Sequence, residues 1–312
     1  MVESKHQWKA WLYLAPAIVL LLIFTAWPIV NTLLMAFQNG YSANRAMGGA
    51  VFEFGIANFQ KVLGYKRFID CLANTMILCV ATVPLSTILA LLIAVALNSI
   101  KPLQKLLQTI FFLPYVTNSI AIGMVFSAMF NIIGLRPSGI EADSWGIINS
   151  VIMFFGGEPI NWINAGSDYW SNIVVMIVYI VWNALPFKIL VLLGGLQGIN
   201  KQYYEAARVD GTSRGRVLTK ITVPLLSPMI AYVVITGFIG GFKEYSSIVG
   251  IFGDTMGPVH DARRLNTMVG FIYDSLGTNS HGTASAAALI LFGIILVVTM
   301  INLQVSKKRV HY

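Results

Sequence analysis

Charge is scarce in this chain. Only 11% of its 312 residues are Asp, Glu, Lys or Arg, against about 25% in a soluble domain. That excludes an ordinary soluble surface, and 56% hydrophobic residues point the same way. Cysteine is limited to Cys71 and Cys79, within one predicted helix. The pair fits neither a metal site nor a disulfide framework, so both read as small buried hydrophobes. Histidine is confined to His6, His260, His281 and His311, scattered outside the apolar stretches and forming no ligand cluster. There is no G-x-x-x-x-G-K-[ST] loop, so ATP hydrolysis would have to come from another chain. No Ser-His-Asp or Cys-His spacing suggests nucleophilic catalysis. A mid-span Asp or Glu, which an ion-driven transporter would use as a relay, is also missing, and no inverted repeat is evident.

What the chain does have is long apolar runs. Six of them, at 11–37, 69–97, 106–133, 171–196, 221–242 and 284–303, reach the roughly 20 residues that a helix needs to cross a bilayer. The expected fold is all-α: a polytopic integral membrane protein with six transmembrane helices, forming a single transmembrane domain over 1–312. The first run contains Pro16 and Pro28. It is too long for a signal h-region and no small-residue cleavage site follows, so it reads as a retained span. Prolines inside spans, here also Pro84 and Pro114, are tolerated when neighbours satisfy the freed carbonyl. The segment 147–155, inside the long, Trp-rich loop 134–170, is apolar but too short to cross. It either lies at the membrane interface or packs on the protein. Segment 243–281 reads as a further polar loop.

Net charge is +8, but its placement says more than its sum and points to a membrane rather than to nucleic acid. With the N-terminus inside, the cytoplasmic segments hold Lys5, Lys9, Lys101, Lys105, Lys201, Arg208, Arg214, Arg216, Lys220, Lys307, Lys308 and Arg309. The eight outer basic residues are spread over far longer loops. This is the positive-inside pattern. It predicts six spans with both termini cytoplasmic, and it puts the loop between spans four and five on the side where ATP is available.

That loop runs from Glu205 to Pro228, EAARVDGTSRGRVLTKITVPLLSP. Glu205-Ala206-Ala207 favours helix. Asp210-Gly211 is a turn signal, with Gly supplying a positive φ. Thr212 or Ser213 can cap a second helix. The pattern is helix, tight turn, helix: a rigid knob shaped to fit a socket on another protein.

In Glu205-Ala206-Ala207, Asp210-Gly211, Ile221, Pro224 and Pro228 the sequence resembles the EAA loop of binding-protein-dependent ABC importer permeases, and within them the maltose-type carbohydrate permeases. Asn74-Thr75, Leu113-Pro114, Leu196-Gln197-Gly198-Ile199 and Gly282-Thr283-Ala284-Ser285-Ala286 extend the resemblance over most of 11–305. Loop 134–170 departs from it, being longer and more aromatic. The resemblance implies a bacterial plasma (inner) membrane subunit that couples to ATPases through Glu205, Ala206, Ala207, Asp210 and Gly211. It implies a second homologous permease, two ATP-binding subunits that hold ATP and Mg, and an extracellular solute-binding protein. No cofactor is expected in this chain, and no enzymatic activity of its own. The implied cargo is a sugar or oligosaccharide, or alternatively an acidic or phosphorylated sugar. An ion-coupled secondary transporter and a membrane-embedded enzyme are the competing classes, and the missing acidic and catalytic clusters count against both.

Lys188 lies midway along the fourth span. A lysine there costs roughly 2.5–3.5 kcal/mol on insertion scales, so it needs a partner or a wet cavity. One reading lets it face a translocation path with Trp182, Asn183, Glu244 and Tyr245 near it, since aromatic faces and amides suit a sugar. The other is a structural or snorkelling lysine. Gly194–Gly198 and Gly237–Gly241 each match G-x-x-x-G, which reads as close packing inside the bundle rather than a defined dimer face.

Overall fold

The computed structural model of the chain describes residues 7–100, 104–134 and 142–309. Glu3, Lys5, His6, Lys101, Pro102, Arg136, Glu141 and His311 lie outside them. In chain order the helices are α1 (Gln7–Leu21), α2 (Trp27–Phe37), α3 (Ala43–Met47), α4 (Ala57–Leu63), α5 (Lys66–Ser99), α6 (Gln104–Val116) and α7 (Ser119–Phe130). A two-stranded ribbon of β1 (Ile132–Ile133) and β2 (Ser144–Trp145) follows, with Ile132 opposite Trp145. Then come α8 (Ile147–Phe154), α9 (Tyr169–Gln197), α10 (Lys201–Val209), α11 (Arg214–Val217), α12 (Val223–Leu225), α13 (Ser227–Gly241), α14 (Ser246–Phe252), α15 (Met268–Gly277) and α16 (His281–Arg309). The segment expected to be a polar loop at 243–281 therefore carries two helices.

Four stretches are single helices long and apolar enough to cross a membrane: Trp8–Phe37, Lys66–Ser99, Tyr169–Gln197 and His281–Lys307. The third and fifth expected spans are bent pairs, which bring the count to six if each pair is one span. The spans expected over 106–133 and 221–242 are thus each broken by a bend. The third bends by 103° between α6 and α7. Asn118 causes the break: it is extended, and its Oδ1 accepts from Ile120 N and Ala121 N, starting a new helix in place of continuing the old one. The fifth starts earlier than expected, at Arg214, and bends by 71° at Leu226. Pro228 has no N–H for the carbonyl of Pro224, and the Ser227 hydroxyl donates to that carbonyl instead at 2.7 Å.

Two other prolines are absorbed by wide turns of the helix. Leu22–Ala26 and Leu218–Thr222 are π-helical, with Trp27 N donating to Leu22 O and Val223 N to Leu218 O. Pro28 and Pro224 follow directly. The register shift of a π turn removes the need for the N–H that proline lacks.

By contact the chain divides into two compact units, 1–69 with 271–292, and 70–270 with 293–312. In the first, the buried Asn58 on α4 ties down the end of α2. Its Nδ2 donates to Ala36 O and Gln38 O, and its Oδ1 accepts from Gly40 N. Arg67 pairs with Asp274 at 2.6 Å, beside the edge-to-face rings of Phe68 and Phe271.

The second unit holds two apolar clusters. One gathers Leu78, Met176, Tyr179, Ile248 and Leu265, and the other Ala90, Leu192, Leu193, Leu226 and Val233. Both are fed by α5 and α9, whose buried faces are mostly apolar but also carry Asn74, Thr75, Thr82, Ser86, Thr87, Asn172 and Lys188. Asn74 fixes the segment before α15, donating to Arg264 O and Asn266 O and accepting from the Tyr169 hydroxyl. Cys71 and Cys79 are free thiols and buried, as expected for small apolar fillers.

Candidate functional site

Two places in the second unit concentrate polar groups that the packing does not require. The first is the elbow between α9 and α13. The side chain of Asn200 caps α10 by accepting from Gln202 N at 3.0 Å. At the other end Asp210 N donates to Ala206 O, Gly211 N to Arg208 O and Thr212 N to Ala207 O. Gly211 sits at φ +65°. An added Cβ there would meet nothing within 4 Å, so the requirement is one of backbone conformation rather than space. Ser213 occupies the cap position of the next helix, with no side-chain hydrogen bond. That helix does not stand alone: it runs through the π turn into the fifth span. The Tyr204 hydroxyl lies 3.3 Å from Thr222 Oγ1 and braces the two arms.

Of the five residues the sequence singled out here, Glu205, Ala206, Asp210 and Gly211 are exposed, while Ala207 is buried against the elbow itself. Val209, which the motif did not flag, is 88% exposed. The elbow is thus a braced, twice-capped projection with a small-residue and apolar tip.

The second place is a cavity of about 310 Å³ among α5, α6, α9 and α13. Asn183, Lys188 and Glu244 all line it. Trp182 and Tyr245 do not. Trp182 lies 5.2 Å from the ring of Phe126, and Tyr245 packs on the cluster around Tyr179. For Trp182 and Asn183 helical geometry explains the split, because neighbours on a helix point about 100° apart; Glu244 and Tyr245 lie in the turn between α13 and α14.

Lys188 is 4% exposed. Its ammonium donates to Ser86 Oγ at 2.7 Å, Thr87 Oγ1 at 2.9 Å and Val83 O at 3.1 Å. All three of its protons are therefore held by α5, and no carboxylate among the described residues pairs with it. Small residues make room for it: a Cβ on Gly237 would lie 3.3 Å from Nζ, and one on Gly241 2.8 Å from Cys79 Sγ. The Gly237–Gly241 spacing is close packing within the chain, as read. A Cβ on Gly194 would meet nothing, so that spacing packs nothing at its first position.

Glu244 Oε1 accepts from Tyr245 N and Ser247 N. Enclosure by the surrounding protein raises its carboxyl above the usual carboxylate range, more than these hydrogen bonds lower it. Asn183 has no hydrogen-bond partner among the described residues. Beside it, Tyr115 and Phe187 stack with centroids 5.9 Å apart. The sequence reading missed this aromatic pair. Phe187 adjoins Lys188, but Tyr115 reaches the cavity from α6, whose placement depends on the bend at Asn118.

The cavity thus offers an unpaired amide, hydroxyls and a stacked aromatic wall. It holds no acid–base–nucleophile set, and the described residues contain no His, Cys, Asp and Glu group fit for a metal.

The chain is similar to known proteins over almost its whole length. The lactose transport system permease protein LacF of Rhizobium radiobacter is 28% identical over 298 residues, 94% of this chain and 91% of LacF. The arabinooligosaccharides transport system permease protein AraP of Bacillus subtilis is 28% identical, over 95% of this chain and 88% of AraP. The sn-glycerol-3-phosphate transport system permease protein UgpA of Agrobacterium fabrum is 27% identical, over 97% and 96%. Among solved structures, a bacterial ABC transporter involved in the import of the acidic polysaccharide alginate shares the fold, with a TM-score of 0.77, 21% identity and coverage of 97% and 96%. Residues 83–311, well over half the chain, match the family of binding-protein-dependent transport system inner membrane components, and the chain belongs to that family.

Proposed function

We propose that this chain is the permease subunit of an ATP-driven importer, and that it passes a sugar or oligosaccharide delivered by an external binding protein. The observation that carries the coupling half of this reading is the braced elbow. Glu205, Ala206, Val209, Asp210 and Gly211 stand exposed on a projection whose angle is set by one left-handed residue. A foreign ATPase subunit that grips such a tip transmits its motion through α11 and the π turn into the fifth span, without a flexible joint between. The basic residues flanking the elbow support a cytoplasmic elbow and cytoplasmic termini under the positive-inside rule. ATP and Mg belong to two partner ATPase subunits, and a second homologous permease completes the pathway.

The transport half rests on the cavity. Asn183 supplies an unpaired amide for sugar hydroxyls, and the Tyr115–Phe187 stack an apolar face for sugar C–H groups. The relatives' substrates, lactose and arabinooligosaccharides, are neutral sugars, and sn-glycerol-3-phosphate is an anion. Lys188 would favour the anion if its ammonium were free. Its three protons are held by α5, so the neutral reading is preferred.

Co-purification with an ATPase and a binding protein, followed by uptake of a panel of neutral and phosphorylated sugars into reconstituted vesicles, tests the function. Within that assay Asn183→Leu is expected to raise KM about two- to tenfold, the worth of roughly one neutral hydrogen bond. An unchanged KM across the panel would place Asn183 off the route.

A further inference from the structure

The loop between the third and fourth spans contains an element that transport does not explain. α8 covers only Ile147–Phe154, yet it has two sharply different faces. Ile147, Val151 and Phe154, with Phe155 just past its end, fall on one side of the helix by the 3.6-residue period. All four are exposed, Phe154 at 84% and Phe155 at 81%. The opposite side is pinned to the protein. Asn149 is fully buried, donates to Ile160 O, and accepts from Ile160 N and Trp162 Nε1. The helix is therefore held rigidly with two phenylalanines facing outward.

Its depth is fixed by what it is pinned to. Trp162, which donates to Asn149, itself accepts through its backbone carbonyl from Asn172 Nδ2 at 2.6 Å. Asn172 is in the first turn of α9. The Trp162 ring also packs on Phe130, the last residue of α7. α9 has 29 residues. At 1.5 Å each, that is longer than the roughly 30 Å hydrocarbon core, so a membrane-crossing α9 has length enough for its first turn to reach the boundary layer. Trp170 is exposed there, where interfacial aromatic residues collect.

We infer that α8 lies in the interfacial layer of the bilayer, with Ile147, Val151, Phe154 and Phe155 entering the lipid and Asn149 locking the helix to the head of the fourth span. Lipid is the occupant the composition favours. Residues 144–157 carry no charge, the flanking ones being Asp143 and Glu158 at the two ends, so over the length of α8 the outward face is uncharged. A short uncharged wedge backed by a polar anchor suits the boundary of headgroup and acyl chain. There it steadies the loop from which the fourth span, and hence the elbow, descends.

The test places an environment-sensitive fluorophore at Phe154→Cys and, separately, at Val151→Cys. The full-length chain is used, in its assembled transporter in nanodiscs; the native Cys71 and Cys79 are buried and stay unlabelled. Nitroxide lipids carry the quencher near the headgroup or near the chain end. The expected result is loss of fluorescence with both, larger with the shallow nitroxide, and little loss with aqueous iodide. Quenching by iodide with none by lipid would overturn the inference by showing a solvent-facing helix. Fluorescence insensitive to both quenchers, or a spectral shift on adding the binding protein, would overturn it by showing a protein in contact.

Discussion

Gly211→Val is expected to leave ATP hydrolysis by the assembled transporter running while sugar uptake falls by more than about tenfold, equivalent to about 1.4 kcal/mol in the coupling step. Gly211 holds φ +65°, a region that costs a non-Gly residue of order 1–3 kcal/mol and a β-branched one the most. Space is not the issue, because nothing stands within 4 Å of the new Cβ. The cheapest escape is for the turn to open, which changes the angle between α10 and α11. The spans keep their packing, so the thermal midpoint should hardly move. Gly211→Asn separates conformation from side-chain bulk: Asn tolerates the left-handed region and is expected to retain most uptake. Uptake and ATPase activity measured on the same vesicles check both variants. Equal loss in Val and Asn would mean that the tip needs glycine for contact rather than for its angle.

The second large effect concerns the buried ammonium, and its sign is counterintuitive. Lys188→Met is expected to be close to neutral for stability, whereas the double change Ser86→Ala with Thr87→Val is expected to cost about 2–5 kcal/mol. Methionine fills a similar volume without a charge to desolvate. The two hydroxyls also stay satisfied in its absence: Ser86 Oγ donates to Thr82 O, and Thr87 Oγ1 to Val83 O. Removing the hydroxyls instead leaves a cation in the cavity wall with Val83 O alone. Thermal unfolding in detergent ranks the variants. Should Lys188→Met prove the more damaging, the ammonium has a partner of greater worth than α5, and a ligand role regains force.

Much of this was readable from residues alone, for a physical reason. A bilayer demands about 20 apolar residues per helix, so six runs announced six crossings. The charge bias and Asp210-Gly211 marked the elbow by local chemistry. What escaped depended on non-local geometry. Asn118 looked like one more polar residue in an apolar run, and only its cap bonds reveal the break. Pro228 read only as part of the resemblance to the EAA loop, and the Ser227 hydroxyl that replaces its missing N–H appears only in three dimensions. Lys188 was visible as an anomaly, yet its partners lie about a hundred residues earlier on α5, where Ser86 and Thr87 carried no signal. Trp182 and Tyr245 were grouped with the cavity by nearness in sequence. Tyr115 belongs there by folding.

The central claim is that the elbow is the handle by which an ATPase moves the membrane spans. The most direct measurement is a cross-link from Val209→Cys, the most exposed apolar side chain of the tip, in sealed vesicles of known orientation. The account predicts a covalent adduct with the ATPase subunit whose yield changes on adding ATP, and modification by an impermeant thiol reagent only from the cytoplasmic side. Modification from the opposite side, or no adduct with any ATPase in a transporter that still takes up sugar, would contradict it.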